Sequence, residues 1–416
     1  MVSSAQSVVA GGGRRAPAYD KDLPKHYVRM QGWLPPCMDR KTKLGKKRDI
    51  RYFTLCAAKA IDVFMLERAK VLKRTSDNYL HGVWFCEGDS DQFQEINRLI
   101  RTPERGFPVS LEDMVLFEPS VNSGKQRSRL NPGGRIDSEG RAALRLQDHH
   151  DNLLAAFPFD IINLDLTRPL FPRKQPVVSR LMRTILRILD WQMDKPLPES
   201  MGGRLIDEFT LFLTVHVDEG ATNRDGVDKL TTLIERNIDV RGEFRHQWAA
   251  EFSSTSPAEL AISDFERFLC LGLPKLLIER GIDRGWDVIS ERRFLYKRLR
   301  GHESYTMMCQ TFTYKRPPKR SEMEWLSSGN ALLSEEAAMR ATQHIMEGVW
   351  GLQTWADKMV ETNPMKSEVE RDLEAVNLFS AQIRKSLGLP AEQGDPVQGD
   401  VELTQERRDF VIDVED

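Results

Sequence analysis

The sequence predicts an α/β protein: a mostly parallel sheet of seven strands ending in an antiparallel hairpin, with helices between the strands and a helical appendage after them. Three observations predict it. Five short apolar segments, rich in β-branched and aromatic residues, alternate with stretches of helical periodicity. One of them, Phe159 to Leu166 (FDIINLDL), is apolar almost throughout, as suits a parallel strand buried on both faces. After the fifth come two alternating segments, Trp286 to Arg300 and Tyr305 to Lys315, joined only by Gly301 to Ser304, which is hairpin length.

Taken in order, residues 1–24 read as a disordered tail, because Arg14 and Arg15 follow a weak apolar stretch instead of preceding a secretory one. A basic segment, Lys41 to Arg51, leads into a first strand within Ile50 to Ala58 (IRYFTLCAA). The helix that follows, Lys59 to Lys73, sets Ile61, Phe64, Met65, Leu66 and Ala69 on one face. The second strand is Gly82 to Asp89, with Ser90 or Asp91 capping the next helix, which runs to Ile100. Asp113 to Glu118 (DMVLFE) is the third strand, and the polar, glycine-rich run from Pro119 to Arg141 is a long loop. A helix from Ala142 to Ala156 precedes the central strand, Val177 to Met193 is strongly helical, and Glu208 to Glu219 is the fifth strand. Helices then occupy Leu233 to Glu279, with a break near Ser253 to Pro257. Past Pro317 and Pro318 the pattern is helical again over Ser334 to Met359 and Ser367 to Gly388, and the tail from Ala391 is polar and acidic. The domains are therefore 25–318 for the sheet, 319–390 for the appendage and 391–416 for a disordered end.

Composition narrows the function classes. Sixty basic residues against sixty-two acidic ones give a formal charge of -2, so bulk electrostatics favour neither nucleic acid nor membrane, and any basic surface is local. No uninterrupted apolar run reaches the ~18 residues of a membrane helix. The five cysteines are scattered, without CxxC spacing or a histidine cluster, which points to buried thiols in a reducing cytoplasm and to no metal site. Neither a phosphate loop nor a nucleophile elbow is present, which argues against a nucleotide hydrolase.

Five strand-helix alternations closed by a hairpin resemble the class I S-adenosylmethionine-dependent methyltransferases, over roughly Asp49 to Arg316. The resemblance implies a Rossmann-like sheet whose first strand ends in a cofactor loop, whose second ends in a ribose-binding acid and whose fourth ends in a catalytic motif. In this chain the loop is Leu55, Cys56, Ala57, Ala58, Lys59 and Ala60, with small residues where the family has glycines. Leu55, Cys56 and Ala57 would line S-adenosylmethionine, or the small side chains simply let helix and strand pack closely. Glu87 stands at the ribose position with Asp89 two residues on; the alternative is that either acid starts the following helix.

The run Phe159 to Phe171 is similar to the family's Asp-containing motif, and most like the Asp-Pro-Phe-Gly type, with Leu166 and Thr167 in place of the rigid proline frame. Asp165 is then the catalytic or substrate-facing acid, or a solvated strand-end carboxylate. His216, at the end of the fifth strand, is a second catalytic candidate able to titrate near neutrality, although a strand histidine is more often packed.

Lys41 to Arg51, Lys125 to Arg129, and Arg292 to Arg300 with Lys315 to Arg320 offer phosphate-contacting cations. Phe294, Tyr296, Phe312 and Tyr314 interleave the last two, and their alternation puts them on one face of the hairpin as core. Trp350, Leu352, Trp355 and Met359 form an aromatic stripe that docks a partner, builds a homo-oligomer or covers the sheet. Two functions fit: a divergent methyltransferase-like protein that modifies or binds nucleic acid in a bacterial modification or defence system, and a degenerate, non-catalytic fold serving as an interaction subunit.

Overall fold

A computed structural model describes residues 22–56, 59–102, 106–118, 138–171, 179–217, 224–240, 242–253, 255–300, 303–316, 353–355, 359 and 365–389. At its centre lies one mixed sheet of eight strands. They are β1 (Tyr52–Thr54), β2 (Val83–Cys86), β3 (Gly106–Phe107), β4 (Ile161–Pro169), β5 (Glu208–His216), β6 (Asp287–Arg300), β7 (Glu303–Lys315) and β8 (Gln353–Trp355). The order across the sheet is β3-β2-β1-β4-β5-β7-β6-β8, so the direction of progression reverses between β1 and β4. Only β7 runs against its neighbours; all other pairs are parallel.

Alternation along the strands divides the core in two. Phe53, Ile162, Leu164, Leu211, Leu213, Met308 and Leu295 face one layer of helices; Tyr52, Ile161, Phe212, Cys309, Phe294 and Tyr296 face the other. The second layer contains α1 (Leu23–Val28), a π-helical turn (Arg29–Trp33), α2 (Leu34–Leu44), α3 (Ile61–Arg68), α4 (Ser90–Ile100) and, from the far end of the chain, α12 (Met365–Ser386). The first contains α5 (Leu111–Val115), α6 (Ser138–Ala156), α7 (Arg180–Asp194), α8 (Arg224–Val240), α9 (Gly242–Phe252), α10 (Pro257–Ser263) and α11 (Phe265–Ile282). Among the described residues no helix is long and apolar enough to cross a membrane. All five cysteines are buried free thiols.

The α/β class and the antiparallel hairpin agree with expectation, and five details differ. The expected third strand, Asp113 to Glu118, is instead helix α5, because Ser110 Oγ accepts the Asp113 N–H at 3.2 Å and caps a helical turn; β3 is the two-residue segment just before it. Leu23 and Pro24, expected in the tail, belong to α1: Asp22 caps it by accepting the Lys25 N–H, and Pro24 sits at a first-turn position where its missing N–H costs nothing. Residues 353–355, expected within a helix, form edge strand β8 beside β6. The aromatics of the hairpin divide between faces, Phe294 and Tyr296 on one and Phe312 and Tyr314 on the other, all four buried as core. Finally, Val369, Leu373 and Val376 of α12 are buried against the body of the protein, so that helix's apolar face is used within the chain itself. Residues 1–21 of the expected tail 1–24, residues 119–137 of the expected loop Pro119 to Arg141, the tail 391–416, Lys125 to Arg129, Trp350 and Leu352 lie outside the described residues, while Ser138 to Arg141 open α6.

Between α2 and the sheet, close packing replaces side chains with backbone. A Cβ on Gly32 would sit 2.8 Å from the Phe294 ring, while Thr311 Oγ1 donates to the Gly32 carbonyl at 3.1 Å and Trp33 Nε1 to Cys309 Sγ at 3.1 Å. These contacts fix the π-helical turn on β6 and β7 and thereby set where Lys25 and Arg29 stand.

Candidate ligand crevice at the strand ends

Open α/β sheets present their ligand crevice at the C-terminal ends of the strands where strand order reverses, which here is between β1 and β4. A buried polar network marks that point. Asp62, on the sheet-facing side of α3, accepts from Tyr52 Oη at 2.6 Å, Thr54 Oγ1 at 2.8 Å and Asn163 Nδ2 at 3.2 Å. Burial, then the Asp62 charge, drives the Tyr52 hydroxyl well above its ordinary value, so it stays a donor. Asp62 escaped the sequence reading, although a lone acid in the apolar run IDVFML was its signal.

The expected cofactor residues divide into two groups. Leu55 is half-buried with its N–H on the Asn163 carbonyl at 3.2 Å; Cys56 is buried; Ala57 lies outside the described residues. Burial pushes the Cys56 thiol well above its ordinary value, assisted by the Asp62 and Glu87 charges, so it is a neutral thiol and not a nucleophile. The parallel register, with Thr54 opposite Phe85, carries Glu87 alongside Cys56 just past the ends of β1 and β2. Glu87 is half-buried, and desolvation raises its carboxyl against the backbone N–H bonds that oppose the rise. Its Oε1 accepts the Asp89 N–H at 2.8 Å, and among the described residues no cation pairs with it. Asp89 is exposed and serves as the N-cap of α4, where Ser90 or Asp91 was expected, its Oδ1 accepting from Asp91 at 3.0 Å and Gln92 at 2.9 Å.

Two strands further on, Asp165 stands among cations. Asp165, across from Thr214 on β5, forms an ion pair with Lys25 of α1, both side chains largely buried at 12% and 6% exposure. Burial alone would raise the Asp165 carboxyl; Lys25, with Arg29 and Arg298 beyond it, overrides burial and holds it below its ordinary value. Its Oδ1 has no hydrogen-bond partner among the described residues, and neither has the buried Tyr296 hydroxyl, whose proton is held by burial and by the Asp165 charge. His216 is half-buried, with its ring edge-on to Tyr305 at 4.8 Å between centroids. The structure thus brings Leu55, Cys56 and Glu87 together and gathers Asp165 with Lys25, Arg29, Tyr296 and Arg298, none of which the sequence had singled out as Asp165's partners.

Fold and site define an α/β protein on an eight-stranded mixed sheet, with Glu87 just past the end of β2 and Asp165 on β4. The chain belongs to the PP_RS20740-like family, whose model matches residues 24–382. No curated protein and no solved structure matches it.

Proposed function

We propose that this chain is a methyltransferase-like protein whose crevice binds an adenosine-bearing cofactor, S-adenosylmethionine by the resemblance, with Glu87 receiving the ribose hydroxyls. The observation that carries the reading is the state of Glu87: a half-buried carboxylate at the end of β2, raised by desolvation and paired with no cation among the described residues. Two hydroxyl donors would offset that desolvation, which is the usual reason for keeping an acid at this point of a doubly wound sheet. The order β3-β2-β1-β4-β5 supports it, being that of Rossmann-type sheets. Calorimetric titration of wild type, Glu87→Gln and Glu87→Ala with S-adenosylmethionine tests it. Binding weakened at least about tenfold in both variants supports the reading; wild type giving no heat at saturating cofactor removes it.

A second reading is favoured by Asp165. An ionised acid bound to Lys25 is a poor proton acceptor, so the β4 end lacks the free base that the family resemblance implies. On that reading the protein binds its cofactor and, with nucleic acid or a protein partner, acts as an interaction subunit of a modification or defence system. Saturable cofactor binding without methyl transfer to single-stranded or duplex nucleic acid would favour it; transfer that survives Asp165→Asn would place the base elsewhere.

A further inference from the structure

At the opposite end of the sheet from the crevice, separated from it by roughly 26 Å along β5, lies a pocket of about 350 Å³. Three segments far apart in sequence build it: the end of α2 with the turn after it, the connection from α7 into β5, and the end of β7. Its wall carries seven basic side chains, Arg40, Lys43, Lys47, Arg48, Arg204, Lys315 and Arg316, and two acidic ones, Asp207 and Glu208. In a chain whose overall charge is -2, that is a strong local excess.

The cations fall into two layers. Arg40 and Arg48 are committed to Asp160, which is fully buried at the foot of β4; Arg40 Nη2 reaches it at 2.8 Å and Arg48 Nη2 at 2.7 Å. Lys43 bridges Asp39 at 2.6 Å and Glu208 at 3.1 Å, and Lys315 lies 3.9 Å from Glu208. Even with Asp39 and Asp160 counted, seven cations meet four carboxylates. Lys47 and Arg204 are exposed and make no ion pair among the described residues. Arg316 is held by stacking on Trp286 at 4.6 Å and by donating to the Met193 carbonyl at 3.0 Å, while its buried Nε has no partner among the described residues. Gathering like charges into a concavity is unfavourable for the fold unless an anion occupies it, since the low-dielectric walls strengthen repulsion as well as attraction.

We propose that this pocket binds a phosphorylated ligand of nucleotide size, either a free nucleotide or the phosphate-bearing terminal nucleotide of a nucleic acid. Phosphate is the anion that a mixed guanidinium and ammonium wall suits, with arginine supplying forked donors and lysine point charge. The volume lies at the small end of ligand pockets and is concave, which fits one terminal group and not a tracked backbone. Leu44, Leu197 and Ile206 supply an apolar patch against which a base or sugar packs. The site does not depend on the cofactor reading, since it lies at the other end of the strands.

The test titrates the full chain with inorganic pyrophosphate, a nucleoside monophosphate, and a short single-stranded oligonucleotide bearing either a 5′-phosphate or a 5′-hydroxyl. Lys47→Glu/Arg204→Glu alters two exposed groups that make no ion pair among the described residues and leaves the Asp160 clamp intact; Lys73→Glu/Lys366→Glu makes the same change of net charge elsewhere. The expected result is salt-sensitive binding, weakened at least about tenfold in the first variant and unchanged in the second. Binding of the small phosphates identifies a free nucleotide as the source, and preference for the 5′-phosphorylated oligonucleotide identifies a nucleic-acid end. No binding of any probe up to about 1 mM, binding of the oligonucleotides alone and irrespective of the 5′-phosphate, or equal weakening by both variants would overturn it.

Discussion

Lys25→Met removes the cation from the Asp165 ion pair while keeping the length of the side chain. With both partners at or below 12% exposure, the pair is a buried one, and stranding one charge of such a pair costs roughly 3–5 kcal/mol. Arg29 and Arg298 remain to compensate part of the charge, so the lower end of that range is expected. The pH dependence follows from the shift. In wild type the Asp165 pKa is depressed, so its contribution is present above the unfolded carboxylate pKa of about 3.9 and is lost as pH falls through the folded value. In the variant, burial dominates and raises the carboxyl, which relieves its cost by protonating. The gap between wild type and variant is therefore widest near neutrality and narrows towards about pH 4. Guanidinium unfolding of both proteins across that range measures it, and Lys25→Met/Asp165→Leu should recover most of the loss. A gap below about 1 kcal/mol at neutral pH, or one independent of pH, would refute the buried-pair account of Asp165.

Other expectations follow from the same geometry. Asp62→Ala leaves the Tyr52 and Thr54 hydroxyls and the Asn163 amide without their shared acceptor, at about 1–3 kcal/mol for each buried group left unsatisfied; chemical denaturation should show a loss of at least about 3 kcal/mol, and wild-type stability would contradict it. Gly82→Ala puts a Cβ 2.0 Å from the Ile50 carbonyl oxygen at φ +74°, so soluble expression or the thermal midpoint should drop sharply. Asp89→Ala should cost about 1 kcal/mol through the α4 cap, with Asp89→Ser recovering it; full recovery of stability with lost cofactor binding would instead assign Asp89 to the ligand. Lys275, fully buried on α11, has its pKa lowered to about 8 by desolvation. The folded protein is penalised below that value, and the penalty fades as pH rises towards 10.5. Lys275→Met should therefore be more stable than wild type at pH 7, on the order of 2 kcal/mol, with the advantage shrinking in alkali.

The strands that form the centre of the sheet were legible because burial on both faces leaves a continuous apolar signature, as in Phe159 to Leu166. What failed to read were elements defined by a few residues or by partners far away. β3 has only two residues and no period, so the neighbouring apolar run of α5 was read in its place, although Ser110 and Asp113 carried the cap signal. Helices α1 and α2 were given no element in the sequence reading; each carries proline in its first turn, Pro24 and Pro35, a position compatible with helix. β8 exists through pairing with β6, which no local pattern records. That Glu87 follows the second strand and Asp165 lies on the central one was legible, since the apolar runs fix both positions. Asp165's state was not, because Lys25 lies 140 residues away and reaches it only once α1 is packed. The convergence of Lys43, Lys47 and Arg48 with Lys315 and Arg316 in one pocket is likewise a product of the fold.

The cofactor reading is tested most directly by a crystal structure of the chain soaked with S-adenosylhomocysteine. The account predicts density over the ends of β1 and β2, with both ribose hydroxyls within hydrogen-bond reach of the Glu87 carboxylate. A saturated crystal with no ligand there, or with the ligand bound away from Glu87, would contradict it.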